Sequence, residues 1–191
     1  MRPGPLRIAA TLVIAMALAA CGGGGAEPAA SPVAPATVPA AMTLTSPTVA
    51  QNGSLPAEYT CDGAGSTLAL SWSNAPSGTR EFALMMTTLP GDGTTKWNWV
   101  VYGIPATASG LATNSAGVGK TGVGSDGPTA AYQPPCSQGP GAKVYTFTIY
   151  ALSAAPLLPA QPTQVTGSVL TNAIAAITLA RGSLSVTYAR P

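Results

Sequence analysis

Residues 144–152 alternate. Tyr145, Phe147 and Ile149 fall on one side of an extended chain, and Thr146, Thr148 and Tyr150 on the other. A period of two sustained over that length predicts a strand with two unlike faces. Residues 184–188 alternate in the same way. Residues 82–88 form a short apolar run of strand length, and residues 97–104 are rich in aromatic and β-branched side chains. Turn clusters at residues 52–53, 75–78, 90–93 and 125–128 separate these segments, built from residues that favour tight reversals. One stretch carries the longer period of a helix. Residues 168–180 put Val169, Ala173, Ala176 and Ala180 on one stripe, with Leu170, Ile174 and Ile177 beside it. Gly167 stands before it and Gly182 just past its end, as helix boundaries favour. Many strands, one helix and no strand–helix alternation predict a mainly β fold, a β-sandwich.

Two stretches stand outside this pattern. Residues 105–142 are rich in Gly, Ser, Thr and Pro and include Cys136. A connection that long is expected to be functional or partly ordered by a disulfide, a disordered insertion being the alternative. At the N-terminus, Arg2 and Arg7 precede an apolar stretch from Ile8 to Ala20. It is too short to span a bilayer comfortably and suits a signal segment, residues 1–20. The stretch ends Leu18-Ala19-Ala20-Cys21, the bacterial lipobox pattern in which the Cys thiol carries diacylglycerol. An ordinary secretory signal followed by a chance Cys is the alternative. Residues 21–41 then comprise the lipidated Cys21 and a Gly-, Pro- and Ala-rich tether, leaving residues 42–191 as one domain. The expected location is the bacterial cell envelope, exported and anchored by lipid at the outer membrane or cell surface.

Composition narrows the chemistry. The chain has 191 residues, eight Lys or Arg, six Asp or Glu and no histidine. Without imidazole there is no Ser-His-Asp triad, no Cys-His pair and no His-ligated metal. Charged residues are 7% of the chain, against roughly a quarter in an ordinary soluble domain. Apolar residues are 46%, enough to fold rather than stay disordered. Loss of residues 1–20 removes Arg2 and Arg7 and leaves six basic side chains against six acidic ones. No basic stripe remains, so nucleic acid is not an expected partner, and acyl chains supply the membrane contact. Cys61 and Cys136 are an even pair in an exported domain, for which a disulfide is the default expectation; two separate buried thiols are the alternative. The bridge would close a loop of about 75 residues and contribute about 4 kcal/mol through chain entropy. None of the abundant Ser, Thr and Tyr residues has a visible base partner. Glu27, Glu58, Asp62, Glu81, Asp92 and Asp126 form no recognisable acid/base pair, and no metal-ligand spacing occurs. The chain is therefore read as a non-enzyme without metal or cofactor.

A series of short motifs carries a resemblance. Tyr59-Thr-Cys-Asp-Gly63 is followed by Leu70-Ser-Trp72, Ala75-Pro-Ser-Gly-Thr79 and Phe82-Ala-Leu84. Trp99-Val-Val-Tyr-Gly-Ile-Pro105, Pro135-Cys136 and Tyr145-Thr-Phe-Thr-Ile-Tyr-Ala-Leu152 come next, then Leu170-x-x-Ala173-Ile174 and Tyr188-x-Arg190. In order and spacing the series resembles the phosphatidylethanolamine-binding protein (PEBP) family, in its bacterial YbhB/YbcL, Raf-kinase-inhibitor-like branch, over about residues 43–190. The resemblance implies an antiparallel β-sandwich with a C-terminal helix and few short helices. It also implies a small anion pocket at one edge, which takes the phosphate of phospholipid headgroups in several members.

The pocket positions depart from the family pattern. The family's D-P-D-x-P segment aligns with residues 87–91, Thr87-Thr88-Leu89-Pro90-Gly91, and both carboxylates are gone. The family's H-W becomes Asn98-Trp99, its H-R-Y becomes Lys143-Val144-Tyr145, and a histidine of its C-terminal helix aligns with Ile177. Asp62, Trp99, Pro135, Cys136 and Tyr145 are retained. Lys143 offers a point charge with three donors, Asn98 an amide, and Tyr145 a hydroxyl. Loss of the carboxylates removes charge that would repel an anion. Each residue also has a plainer reading: Lys143 as a solvated charge beside a turn, Asn98 as a strand residue bonded to neighbouring backbone, and Trp97 and Trp99 as packing. The expected function is binding of a small phosphate-like or headgroup-like anion by Asn98, Lys143 and Tyr145, with Asp62, Thr88 and Pro135 beside them. The alternative is a degenerate fold acting as a protein-interaction or scaffold module, with no small-molecule ligand.

Overall fold

The computed structural model describes residues 40–138 and 140–190. The signal segment, Cys21 and the tether as far as residue 39 lie outside the described residues. In chain order the strands are β1 (Ala40–Ala41), β2 (Thr43–Thr45), β3 (Leu70–Ser73), β4 (Glu81–Thr88), β5 (Lys96–Pro105), β6 (Gly110–Leu111), β7 (Lys120–Thr121), β8 (Lys143–Leu152) and β9 (Thr178–Tyr188). One α-helix, α1 (Gly167–Ile174), precedes β9, and single 3-10 turns occupy Ala57–Tyr59 and Pro162–Gln164. Six strands form one sheet in the order β1-β9-β8-β4-β5-β7, and three form the other in the order β2-β3-β6. Every strand pairing is antiparallel except that of β1 with β9. The expected antiparallel sandwich is the fold observed. The ordered sheet starts earlier than expected, because Ala40 and Ala41 pair with Ala180 and Arg181.

Burial explains which strands alternate in sequence and which do not. Phe82, Leu84 and Met86 of β4 join Trp72, Phe147 and Ile149 in the core between the sheets. Ala83 and Met85 point the other way, into a second cluster with Val100, Leu152, Leu170 and Ile174, under α1. β4 is thus buried on both faces and reads as a continuous apolar run. β8 has one apolar face and one face of partly exposed Thr and Tyr, hence its clean alternation.

The helix is shorter than its periodicity predicts. It ends at Ile174, and the chain from Thr178 onward is strand. Thr178 and Ala180 pair with Leu152 and Ala151, and the ladder gained with β8 outweighs the helical propensity of the alanines. The Thr178 hydroxyl donates to the Ile174 carbonyl at 2.8 Å, closing the helix end. At the other end Thr166 Oγ1 accepts from the Val169 N–H at 3.2 Å, an N-cap. Gly167 follows, lying so close to Trp97 that a Cβ there would overlap the indole ring.

The described residues of the long 105–142 connection are ordered rather than a disordered insertion. The connection contributes β6 and β7 and bridges Val123 to Thr166. The C-terminal strand is tied to the first 3-10 turn region through Asp62. Tyr188 Oη donates to Asp62 Oδ2 at 2.6 Å, and Arg190 Nε donates to Oδ1 at 2.8 Å. The Tyr188 hydrogen bond, and after it the Arg190 hydrogen bond and charge, hold the Asp62 carboxyl below its ordinary range against the desolvation that raises it.

Two outcomes follow from this packing. Gly167→Ala is expected to lower stability by about 1–3 kcal/mol through overpacking on Trp97, read from the urea midpoint; an unchanged midpoint would show that the ring gives way freely. A depressed folded pKa means that the stabilisation by Asp62 is present above the ordinary carboxylate pKa of about 4 and is lost as pH falls through the folded value. The melting temperature of Tyr188→Phe is therefore expected to fall less than the parent's on acidification. Parallel curves would remove Asp62 from the acid response.

Candidate functional site

Where β4 ends and β5 and β8 begin, the large sheet opens onto a cleft of about 240 Å³. The register brings Thr88 opposite both Lys96 and Tyr145, so side chains far apart in sequence arrive side by side. Thr88, Asn98, Lys143 and Tyr145 all line the cleft. The facing wall is the segment Pro134, Cys136, Ser137 and Gln138, and the β4–β5 turn adds Pro90 and Asp92.

The facing wall is held in place at several points. Cys61 and Cys136 form the expected disulfide, with Cα atoms 5.3 Å apart. The Cys61 N–H donates to the Pro135 carbonyl at 3.0 Å. Tyr132 Oη donates to the Tyr59 carbonyl at 3.2 Å, and its ring meets Trp99 edge-on at 5.3 Å. Gln133 N–H donates to the Asn98 carbonyl at 2.8 Å, and Asn98 Nδ2 donates back to the Gln133 carbonyl at 3.3 Å. The Gln133 side chain grips Asp126 at both backbone groups, Oε1 accepting from its N–H at 3.0 Å and Nε2 donating to its carbonyl at 2.7 Å. Gly124 makes room for that grip, since a Cβ there would overlap the Gln133 amide.

The charges balance around the rim. Lys96 Nζ and Asp126 Oδ1 are 3.2 Å apart and largely exposed, a weak pair in water. Asp92 Oδ1 accepts from the Thr94 N–H at 3.0 Å and from its hydroxyl at 2.8 Å. These bonds, the backbone one first, hold Asp92 below the usual carboxylate range. Lys143 forms no salt bridge among the described residues. Burial pushes the Tyr145 hydroxyl up, the Cys136 N–H only partly offsetting it, so the group stays protonated and can donate. Asn98 is 6% exposed and Ser137 2%. Among the described residues, Asn98 Oδ1 and Ser137 Oγ have no hydrogen-bond partner. No three His, Cys, Asp or Glu side chains among those residues are grouped to hold a metal ion.

Of the six expected ligand-binding residues, Asn98, Lys143, Tyr145 and Thr88 come together and two do not. Asp62 is engaged by Tyr188 and Arg190. Pro135 is buried, and its carbonyl serves Cys61. Ile177, aligned with a family histidine, lies between α1 and β9 against the second core cluster, not in the cleft. Trp97 and Trp99 pack and do not line it. The aligned segment lacks the family's two carboxylates, yet two other carboxylates reach the rim. Asp92 enters one residue after the aligned segment and Asp126 from the long connection, and both line the cleft. Sequence reasoning missed these two along with Lys96, Ser137 and Gln138. Adjacency to Cys136 was the available signal for Ser137 and Gln138; nothing local marks the pairing of Lys96 with Asp126.

Comparison with known proteins agrees with this architecture. The family model described as phosphatidylethanolamine-binding protein matches residues 45–189. LppC of Mycobacterium tuberculosis, named as a lipoprotein, is 32% identical over 168 residues, covering 82% of this chain and 83% of its own. The crystal structure of CT736 from Chlamydia trachomatis, described as a PEBP homologue, superposes with a TM-score of 0.72 at 26% identity, covering 79% of this chain and 99% of that one. Escherichia coli YbcL, described as a member of the mammalian PEBP family, shares the fold with a TM-score of 0.70 at 22% identity, over 80% of this chain and 100% of its own. With the family match covering β3 to β9 and every residue that lines the cleft, the chain belongs to the phosphatidylethanolamine-binding protein family.

Proposed function

We propose that this chain is a non-enzymatic envelope lipoprotein whose PEBP domain binds a small phosphate-like anion, free or as a lipid headgroup, in the cleft. The observation that carries this reading is the convergence of Lys143, Tyr145, Thr88 and Asn98 from three neighbouring strands on one cleft, with Lys143 in no salt bridge among the described residues. An ammonium and a protonated phenol supply charge-assisted and neutral donors to an oxyanion. Two lysines and two aspartates line the cleft, so attraction comes from local placement and not from a broad positive field. Anchoring through Cys21 is supported by the lipobox pattern and by the name of the LppC relative. The rival reading, a protein-interaction module with no small ligand, draws on the exposed Leu89 and Val144, 65% and 52% accessible beside the cleft.

Calorimetric titration of the oxidised full chain with inorganic phosphate and phosphorylethanolamine decides between them. Binding at micromolar to low-millimolar strength is expected, weakened by about tenfold or more in Lys143→Ala, a change of about 1.4 kcal/mol, and falling with added salt. No heat from folded protein, together with a stoichiometric protein partner retained by Lys143→Ala, would favour the interaction module. For the anchor, labelled palmitate is expected to be incorporated by the parent and not by Cys21→Ser. Label that survives the substitution would refute it.

A further inference from the structure

Resting on the anion-binding reading, the two buried polar atoms without partners say something about which anion. Asn98 contributes to the cleft wall, and its Oδ1 is buried with no hydrogen-bond partner among the described residues. The orientation of its amide is fixed. The Gln133 carbonyl can only accept, so the NH₂ group must face it at 3.3 Å, and the atom left over is the oxygen. An amide oxygen accepts and cannot donate. A fully ionised oxyanion brought against it would leave two acceptors facing each other, with neither satisfied. Ser137, the other wall residue with an unpartnered atom, has a hydroxyl that can donate to the same ligand.

The charges agree with the hydrogen bonds. The groups facing the cleft are Asp92 and Lys96 from the β4–β5 turn and the start of β5, Asp126 from the long connection, and Lys143 and Tyr145 from β8. Lys96 is already matched by Asp126, and among the described residues lining the cleft only Lys143 is left to meet an anion, with Asp92 opposing any excess of negative charge. Such a rim suits a single negative charge better than two.

We propose that the cleft selects an oxyanion carrying its own hydrogen-bond donor, a singly protonated phosphomonoester, with the P–OH donating to Asn98 Oδ1. The remaining phosphate oxygens accept from Lys143, Tyr145 and Ser137. Phosphate and sulfate esters share size and shape, and only the phosphate ester can carry that proton near neutral pH.

The test titrates the oxidised full chain with methyl phosphate and methyl sulfate at about pH 5.5 and about pH 7.5. These values bracket the second phosphate pKa of about 6. Methyl sulfate keeps one charge throughout and reports any titration of the protein itself. The expected result is at least about tenfold tighter binding of methyl phosphate at the lower pH. That advantage should shrink by about tenfold or more at the higher one, as the monoanion falls to a few per cent. Asn98→Leu, verified as folded by its melt, is expected to bring the two ligands within about threefold of each other. A smaller advantage at the lower pH, or one that persists at the higher, would overturn donor selection while leaving anion binding intact. Absence of binding by either ester would overturn both. The comparison of ligands on the parent stands even if Asn98→Leu does not fold.

Discussion

Strand β8 is hydrogen-bonded on both edges along its length, to β4 on one side and β9 on the other. That doubly paired register is the constraint on which the rest of the molecule depends. Side chains alternate along a strand, so fixing Phe147 and Ile149 in the core fixes Tyr145 on the same face. Two residues earlier Lys143 arrives at the rim as a consequence. A slip of one residue would turn Phe147 out of the core and Thr146 into it. The cleft is therefore specified by the same burial that specifies the sandwich, and its strand-borne side chains need no separate device to hold them.

The facing wall has no such ladder and is secured by other means. A covalent bridge, an edge-on aromatic contact and the two-way bonding between Gln133 and Asn98 take the place of regular pairing. Gln133 ties the long connection to β5, because it grips Asp126 with its side chain and pairs with Asn98 through its backbone. One side of the cleft is thus set by core packing and the other by a few directional bonds.

The sequence made the sheet legible where its two faces differ. Residues 144–152 alternate because one side meets the core and the other is partly exposed. The apolar run at 82–88 was legible as a strand, though its burial on both faces appears only once α1 is in place. The helix was overextended because an alanine-rich stripe has the right period, and periodicity takes no account of a neighbouring strand that recruits Thr178 and Ala180. Of the side chains lining the cleft, Thr88, Asn98, Lys143 and Tyr145 were named from the sequence, whereas Lys96 at the start of β5 and Asp92, Asp126, Ser137 and Gln138 on the connections were not. Lys143, Tyr145 and Asn98 occupy positions that a motif series can align, and the disulfide followed from cysteine count and compartment. Asp126 reaches the rim only because Gln133 holds its backbone. Asp62 shows the converse. Its motif position was recognised, but its carboxylate belongs to Tyr188 and Arg190.

The first strand has a mechanical consequence. Ala40 pairs with Ala180, which in turn lies opposite Ala151, six positions along β8 from Tyr145. At about 3.3 Å per residue this places the N-terminal edge of the sheet roughly 20 Å from the cleft. β1 runs parallel to β9 and so begins toward the end of the sheet remote from the cleft. A pull transmitted through the preceding residues would load β1 lengthwise against β9, in shear, with the Met42 N–H to Arg181 carbonyl bond taking its share. Neither the disulfide nor the Gln133 clamp lies on that line of force. Load applied at Ala40 would fall on the end of the sheet remote from the residues that line the cleft.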